Sequence, residues 1–208
     1  EILYIFVCIS NRRIVIVFMK TLGYKLVLAS ASPRRAQILK EAGFDFEVRV
    51  SNVDEVYPND LRGSEIPVFL SKLKVSSLLP SLAEAELLIA ADTIVYLNGK
   101  VLNKPSNRDE ASLMLQKLSG HKHEVITGVT LASATKSISF FDMTEVYFDK
   151  LSPLQIDHYI DHYKPYDKAG AYGIQEWIGM VGVQKIHGSF YNVMGLPIHR
   201  LNEELQKF

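Results

Sequence analysis

The sequence predicts an α/β protein built on a mixed, twisted β-sheet with flanking helices. Short apolar runs at residues 25–29 and 87–91 are typical of buried strands, and segments of helical periodicity alternate with such runs along the chain. A hairpin signal also occurs, most clearly at Asn98-Gly99. Because crossover helices join parallel strands and hairpins join antiparallel ones, the two signals together predict a mixed sheet.

The composition is that of one globular domain with a sizeable core, since 48% of the 208 residues are hydrophobic. The 23 basic and 23 acidic residues cancel, which argues against bulk electrostatic binding to nucleic acid or to an anionic membrane. The single cysteine, Cys8, excludes an intrachain disulfide and a cysteine-rich zinc site. A reducing, cytoplasmic location fits this cysteine content.

The first 18 residues differ from the rest of the chain. They are apolar on both sides of an Asn-Arg-Arg sequence at residues 11–13, and two arginines at the middle of a membrane span would be costly. A secretion signal would place its cations before the apolar run. We therefore predict an appended or upstream-translated leader at residues 1–18, a natural start at Met19 and a single domain at residues 19–208. An extra edge strand is the alternative interpretation of the leader.

The individual elements follow from local signals. Ser32-Pro33 predicts a helix start with Ser as the N-cap, and Gly43 predicts the end of that helix. Residues 44–50 alternate apolar and charged side chains, which predicts a half-exposed strand. The remaining predicted elements are helices at residues 64–79, 107–118, 152–163 and 197–205, a hairpin at residues 94–102, and strands at residues 125–132, 139–148 and 181–186.

Two arginines, Arg34 and Arg35, occupy the first turn of the first predicted helix. Cations at that position oppose the helix dipole, which favours anions. The conflict disappears if an anion binds there, because backbone N–H groups, both guanidiniums and the hydroxyls of Ser30 and Ser32 would then converge on a phosphate. We therefore favour a phosphate-binding site over two solvated arginines.

Three carboxylates follow predicted strands. The adjacent Asp54 and Glu55 suit Mg²⁺, which takes few protein ligands and keeps its waters, although a solvated turn is the alternative. Asp92 ends the apolar run at residues 87–91, which predicts a carboxylate at the carboxyl end of a buried strand, where ligands bind in open α/β sheets. Such a carboxylate can bind metal or take a proton from water, and a turn or N-cap aspartate is the alternative.

Further candidate ligands lie near these segments. Lys104 follows the hairpin, and Lys72 and Lys74 lie on the preceding helix. Lysines are usually only solvated, but near a polyanion site they are candidate phosphate ligands. The glycines of residues 167–175 allow the backbone to approach a ligand, and the amide of Gln175 can pair with a nucleobase edge. An ordinary glycine loop is the alternative.

In combination these segments resemble the Maf family, nucleotide pyrophosphatases once described as inhibitors of septum formation. The resemblance begins near residue 24 and is carried, in order, by residues 28–35, 54–55, 91–93, 103–105, 118–120, 167–175, 188–189 and 195–197. It implies an inosine-triphosphatase-like (Maf/Ham1) fold with two lobes around a deep cleft. It also implies hydrolysis of nucleoside triphosphates to the monophosphate and pyrophosphate with a divalent metal, Mg²⁺, Mn²⁺ or Co²⁺. A homodimer is common among similar proteins.

The resemblance implies roles for the matching positions. Asp92 matches the family's proposed catalytic base. The positions linked to substrate choice are Arg34, Thr93 and Gln175. The polar lining around phosphates and metal is matched by Ser30, Arg35, Glu55, Lys74 and Lys104. Because Glu55 and Asp92 are the candidate metal ligands, the role of Asp92 as ligand, base or both stays open.

The segment that ends at Gln175 is similar to the branch of the family acting on dTTP and UTP. The branch acting on 7-methyl-GTP carries a different sequence there. The resemblance therefore implies a pyrophosphatase for dTTP and UTP, or for modified pyrimidine nucleotides, in the housekeeping of the nucleotide pool. The alternatives are a pyrophosphatase of the same fold for a modified purine nucleotide and a non-enzymatic regulator of cell division or septum formation.

Overall fold

The computed structural model describes residues 5–10, 13–18 and 23–208 of the chain. Strands β1 (Ile5–Ser10) and β2 (Arg13–Phe18) pair antiparallel in a two-stranded sheet of their own. Both strands lie in the stretch predicted as a leader. The leader itself stays a prediction, and the predicted start at Met19 lies outside the described residues.

The main sheet of residues 23–208 has seven strands: β3 (Lys25–Leu28), β4 (Phe46–Val48), β5 (Glu86–Leu97), β6 (Lys100–Leu102), β7 (Lys122–Ala132), β8 (Ser137–Phe148) and β9 (Val183–His187). Their order is β4-β3-β5-β7-β8-β9, and β6 pairs with the second half of β5. Strand β3 is parallel to β4 and β5, while the other neighbours are antiparallel. The predicted mixed sheet is confirmed.

The α-helices of residues 23–208 are α1 (Pro33–Glu41), α2 (Glu65–Leu78), α3 (Arg108–Leu118), α4 (Pro153–Tyr163), α5 (Trp177–Gly182), α6 (Phe190–Met194) and α7 (Ile198–Lys207). Two predicted starts are confirmed by their caps. The Asn107 side chain accepts from the Glu110 N–H, and Ser152 forms a capping box with Gln155. Helices α5 and α6 were not predicted, because five or six residues are too few to show a helical period.

Strand β5 corrects the prediction for Asp92. The sequence placed this residue at the carboxyl end of a strand, but β5 continues through it for five more residues. The continuation depends on β7, which pairs along β5 and places Gly128 opposite Asp92. A Cβ on Gly128 would lie 2.3 Å from the backbone of Pro67, so this glycine lets α2 approach the sheet closely. Asp92 nevertheless lies beyond the end of the parallel neighbour β3, which stops at Leu28.

Two large hydrophobic cores lie on either side of Asp92 in the described part of the chain. One packs the first half of β5 against α1 and α7, where Leu39 and Leu201 are fully buried. The other packs the second half of β5 against α3 and α4, where Leu115 and Ile160 are fully buried. The predicted arrangement of two lobes follows from these cores. Among the described residues, no helix has the length and apolar character needed to cross a bilayer.

Candidate active site

A cleft of about 580 Å³ opens between the two lobes, where β3 ends. Ten of the residues that the sequence predicted for the site line it: Ser30, Ser32, Arg34, Arg35, Glu55, Lys74, Asp92, Thr93, Lys104 and Gln175. Two other candidates, Asp54 and Lys72, lie outside the described lining. The structure therefore brings together residues that are spread over more than half of the chain. Their roles are a separate question, which depends on how each side chain is held.

Arg35 is a buried cation with neutral hydrogen-bond partners. Its guanidinium donates to the Gly195 carbonyl at 2.7 Å, to Ser30 Oγ at 3.2 Å and to Thr93 Oγ1 at 3.0 Å. Within the described residues it forms no ion pair. Burial lowers the pKa of Arg35, an effect that the nearby Asp92 carboxylate partly offsets. Because a guanidinium stays protonated, the cleft wall carries a buried positive charge.

The loop that precedes α1 leaves the start of this helix without a side-chain cap. Ser30 Oγ accepts a hydrogen bond from the Ser32 N–H at 3.2 Å. Ser32 is the N-cap residue, as predicted, but its hydroxyl makes no capping hydrogen bond. Residues 32–35 line the cleft, so the first-turn N–H groups that follow Pro33 and this hydroxyl are potential donors to an anion there.

Lys74, on α2, connects the two carboxylates of the site. Its ammonium donates to Asp92 Oδ1 at 2.5 Å and lies 2.8 Å from Glu55 Oε1. The Lys74 and Asp92 side chains are only 8% and 10% exposed, so water screens this pair little. Since Lys74 engages Oδ1, the second oxygen of Asp92 is left for another ligand or for a proton.

Glu55 is half-buried between Lys74 and Lys104, whose Nζ lies 3.9 Å from Glu55 Oε2. Partial burial raises the pKa of Glu55, but the hydrogen bond from Lys74 and the nearby positive charges outweigh burial and hold the pKa below its ordinary value. Glu55 is therefore an anion at neutral pH. Asp54, its partner in the predicted acidic pair, is exposed and lies outside the described cleft lining, so only one of the two carboxylates reaches the site.

Thr93 is held by a buried chain of hydrogen bonds. Its hydroxyl lies 2.9 Å from the Thr127 hydroxyl, which donates to the Asn192 carbonyl at 3.1 Å. The Asn192 side chain in turn donates to the Val125 carbonyl at 3.0 Å. This chain ties β5, β7 and α6 together behind the Arg35 guanidinium, so the wall is rigid where Arg35 meets the cleft.

The other wall carries a second set of charges. Arg34 donates to Asp167 Oδ2 at 2.6 Å, and Lys168 donates to Asp167 Oδ1 at 2.7 Å. Partial burial raises the pKa of Asp167, but the hydrogen bonds from Lys168 and Arg34 outweigh burial and lower it. Lys168 also pairs with Glu176 Oε1 at 3.0 Å. Gln175, the predicted base-pairing residue, is exposed and lines the cleft beside this set.

Sequence reasoning singled out residues 167–175 but assigned no role to Asp167, Lys168 or Glu176. The adjacent Asp-Lys pair before the glycines was the one signal that pointed to them. Its meaning depends on Arg34, which lies 133 positions earlier in the chain, and such a contact cannot be read from local pattern.

Comparison with known proteins identifies the family. The family model described as Maf-like protein matches residues 25–208. The dTTP/UTP pyrophosphatase of Cytophaga hutchinsonii is 54% identical over 182 residues, which cover 88% of this chain and 83% of that relative. The dTTP/UTP pyrophosphatase of Parabacteroides distasonis is 52% identical over 186 residues, which cover 89% of this chain and 96% of that relative.

Among solved structures, the Ham1 protein of Staphylococcus aureus gives a TM-score of 0.49 at 15% sequence identity, over 88% of this chain and 98% of that one. The match to the family model extends over the whole main sheet and both lobes. It also includes every residue that lines the cleft. Because the family model matches residues 25–208 and the two pyrophosphatase relatives are more than half identical, this chain belongs to the Maf family.

Proposed function

We propose that this chain is a nucleoside triphosphate pyrophosphatase that hydrolyses dTTP and UTP to the monophosphate and pyrophosphate. The observation that carries the proposal is the buried Arg35, whose hydrogen-bond acceptors are all neutral, beside carboxylates that Lys74 holds in the same cleft. A polyphosphate would supply the negative charge that Arg35 lacks. The names of relatives with about half of their residues identical support the same reaction.

The polyphosphate is assigned to the start of α1. The start of this helix has no side-chain cap, and Ser32 and the first-turn residues Arg34 and Arg35 line the cleft. Lys104 adds an exposed ammonium on the far side of Glu55. Together these donors can neutralise several phosphate oxygens, which is what the transfer of a phosphoryl group requires.

The carboxylates of Glu55 and Asp92 fit a divalent cation such as Mg²⁺, Mn²⁺ or Co²⁺. Each places one oxygen within 2.8 Å of the Lys74 ammonium, so the pair already converges on a single cationic point. Among the described residues no third His, Cys, Asp or Glu completes a cage, which suits a cation that keeps water and phosphate ligands. When bound, such an ion neutralises charge on the polyphosphate and acidifies water.

Asp92 is assigned to proton transfer as well as to the cation. Lys74 holds Oδ1, so Oδ2 can accept the proton of the attacking water. The water oxygen then bonds to phosphorus as the anhydride bond between the α and β phosphates breaks. Arg35 and Lys74 stabilise the negative charge that grows on the phosphate oxygens during this step.

Gln175 is assigned to the nucleobase. Its amide offers one acceptor and two donors on an exposed stretch of the cleft. The imide edge of thymine or uracil presents a donor between two acceptors, which such an amide can match. Cytosine presents an amine in place of one acceptor, so an amide fixed in one orientation discriminates against it.

The experiment is pyrophosphate release from a panel of nucleoside triphosphates with Mg²⁺, Mn²⁺ or Co²⁺. The panel contains dTTP, UTP, dCTP, the purine nucleotides and 7-methyl-GTP. A mock purification from cells that lack the expressed protein controls for contaminating phosphatases. We expect preferential turnover of dTTP and UTP, with one pyrophosphate released per monophosphate.

Three outcomes would contradict the proposal. Release of orthophosphate would mean that a different bond is cut. Preference for a modified purine nucleotide would favour the other branch of the family. Absence of turnover from folded protein with metal would favour the non-enzymatic alternative, a regulator of cell division. A cytoplasmic location and a homodimer stay predictions, which cell fractionation and light scattering can check.

A further inference from the structure

A continuous chain of polar contacts links Arg34 to the turn that carries Gln175. It runs from Arg34 through Asp167 to Lys168, with contacts of 2.6 Å and 2.7 Å, and then to Glu176 at 3.0 Å. The Tyr159 hydroxyl donates to the second oxygen of Glu176. Of these residues only Arg34 has a role in the proposed function, so the other contacts of this network need an explanation.

At the end of this network away from Arg34, the contacts surround the turn from Gly173 to Glu176. Tyr159 is fully buried, and its hydroxyl accepts a hydrogen bond from the Gly173 N–H at 3.0 Å. The turn is closed on itself by the Glu176 N–H, which donates to the Gly173 carbonyl at 3.0 Å. Tyr159 therefore contacts both ends of the turn, one through the backbone and one through a carboxylate.

The side chains of the turn also pack tightly. A Cβ on Gly173 would lie 2.9 Å from Glu176, 3.0 Å from the Gln175 amide nitrogen and 3.0 Å from Lys168. Three side chains thus close around this glycine. Within the described residues no side-chain hydrogen bond fixes the Gln175 amide, so its direction depends on the turn and on these neighbours.

Lys168 makes the arrangement sensitive to charge. Its side chain is 9% exposed and its ammonium lies between the carboxylates of Asp167 and Glu176. A buried ammonium needs its partners, since an unpaired one is strongly disfavoured. If Glu176 loses its charge, Lys168 is ion-paired with Asp167 alone, and the turn loses its ion pair with Lys168.

We propose that Glu176 and Tyr159 are positioning residues that set base selectivity by fixing the turn that presents Gln175, and that Lys168 and Asp167 join this turn to Arg34. The inference rests on the proposed hydrolysis of pyrimidine nucleotides. In this arrangement the base-contacting residue and a phosphate-binding arginine belong to one connected unit. Neither Glu176 nor Tyr159 has to touch the substrate.

The test compares Glu176→Gln with the wild type and measures the ratio of kcat/KM for dTTP to that for dCTP. The variant keeps the size of the side chain and an acceptor for Tyr159 but removes the charge that faces Lys168. A shift of the turn by about 1 Å can cost about a hundredfold where geometry is critical. We expect the selectivity ratio to fall by about tenfold, through KM for dTTP, while kcat at saturation changes by less than about threefold.

Two further variants complete the test. Glu204→Gln removes a carboxylate that is 20% exposed, like that of Glu176, but pairs with Lys207 on α7, so it should leave the ratio unchanged. Tyr159→Phe removes the hydroxyl from the other side of the turn and should lower the ratio as Glu176→Gln does. Thermal unfolding confirms that each variant is folded, and if Glu176→Gln is unfolded the Tyr159→Phe ratio decides.

The outcomes separate this inference from the proposed function. A wild type that prefers dTTP, with the ratio unchanged in both variants, would overturn the inference and leave the proposed function intact. An equal loss of kcat/KM on every nucleotide would also overturn it, because a merely structural role lowers kcat/KM for all substrates alike. A wild type that turns over no nucleotide would overturn the proposed function, and the inference with it.

Discussion

The charges of two arginines, Arg35 on α1 and Arg49 directly after β4, are compensated in different ways. Arg49 donates two hydrogen bonds to the Glu86 carboxylate, both at 3.0 Å, and a third to Glu47 at 3.3 Å. Arg35 also donates three hydrogen bonds, but each acceptor is a neutral oxygen. Arg49 is directly ion-paired. Among the described residues, no carboxylate forms an ion pair with Arg35, although Asp92 lies near it.

The surroundings of the two arginines show the same difference. Near the starts of β3 and β5, Lys25 and Arg49 face Glu47 and Glu86, so the charges balance. In the cleft, five cationic side chains and three carboxylates appear among the described lining residues. A chain with zero net charge thus has a locally positive cleft. The balanced group stabilises the sheet, and the surplus is the signature of an anion-binding site.

The largest effect is expected from Asp92→Asn. If Asp92 takes the proton of the attacking water, kcat for dTTP should fall by at least about a hundredfold, the lower range for a general base. Pyrophosphate release under saturating dTTP measures the effect. Asp109→Asn, an exposed change on α3, is the matched control and should retain full activity. If the Asp92→Asn protein keeps its activity, Asp92 is not the base and another group must take the proton.

Arg35→Met tests the comparison of the two arginines directly. We expect kcat/KM to fall by about a hundredfold, because a donor to the developing charge is lost. The free energy of unfolding should change by less than about 1 kcal/mol, since removing a buried charge offsets the loss of its hydrogen bonds. Enzyme assays and urea unfolding measure the two quantities.

Arg49→Met is the reciprocal variant. It should leave kcat/KM unchanged but lower the melting temperature, because it leaves the Glu86 carboxylate without its bidentate partner. The comparison fails if Arg35→Met destabilises the fold as much as Arg49→Met does, or if Arg49→Met loses activity while folded.

A smaller effect is expected from Lys104→Met. Lys104 is 59% exposed and lies 3.9 Å from Glu55, so under the proposed function we expect it to attract the substrate only through solvent-screened electrostatics. We expect KM for dTTP to rise about two- to fivefold with little change in kcat, and the rise to shrink at high salt. The exposed Lys117 on α3 provides the control variant, Lys117→Met. An increase in KM that salt does not reduce would point to a direct, buried contact instead.

The parts of the fold that depend on local chemistry could be predicted from the sequence. The start of α4 follows from Ser152, whose side chain caps the helix within four residues of chain. The failure at Asp92 has the opposite cause. Whether β5 stops or continues there depends on pairing with Gly128 of β7, which is distant in sequence and leaves no local signal.

The same distinction between local signals and distant contacts applies to the residues of the site. The residue types were predictable, because two arginines in a first helical turn break a local rule. Which of the two arginines would be buried could not be predicted, since the burial of Arg35 depends on Gly195 and Thr93 from other elements. Likewise, Lys168 looks like any surface lysine until the fold encloses it between two carboxylates.

The smallest effect is expected from Glu86→Gln, which tests the balanced group of charges around Arg49. The hydrogen bonds from Arg49 and the Ala83 N–H lower the pKa of Glu86 to about 2. A carboxyl whose pKa is lower in the folded than in the unfolded state stabilises the fold above the unfolded pKa, which is about 4.3 for Glu. The melting temperature of the wild type should therefore exceed that of Glu86→Gln at neutral pH. The difference should shrink as pH falls from about 4.3 towards 2, because protonation of Glu86 then removes the charge that the variant already lacks. A difference that stays constant down to pH 2 would show that Arg49 and Glu86 stabilise the sheet through packing rather than through charge, and the contrast with Arg35 would then rest on shape alone.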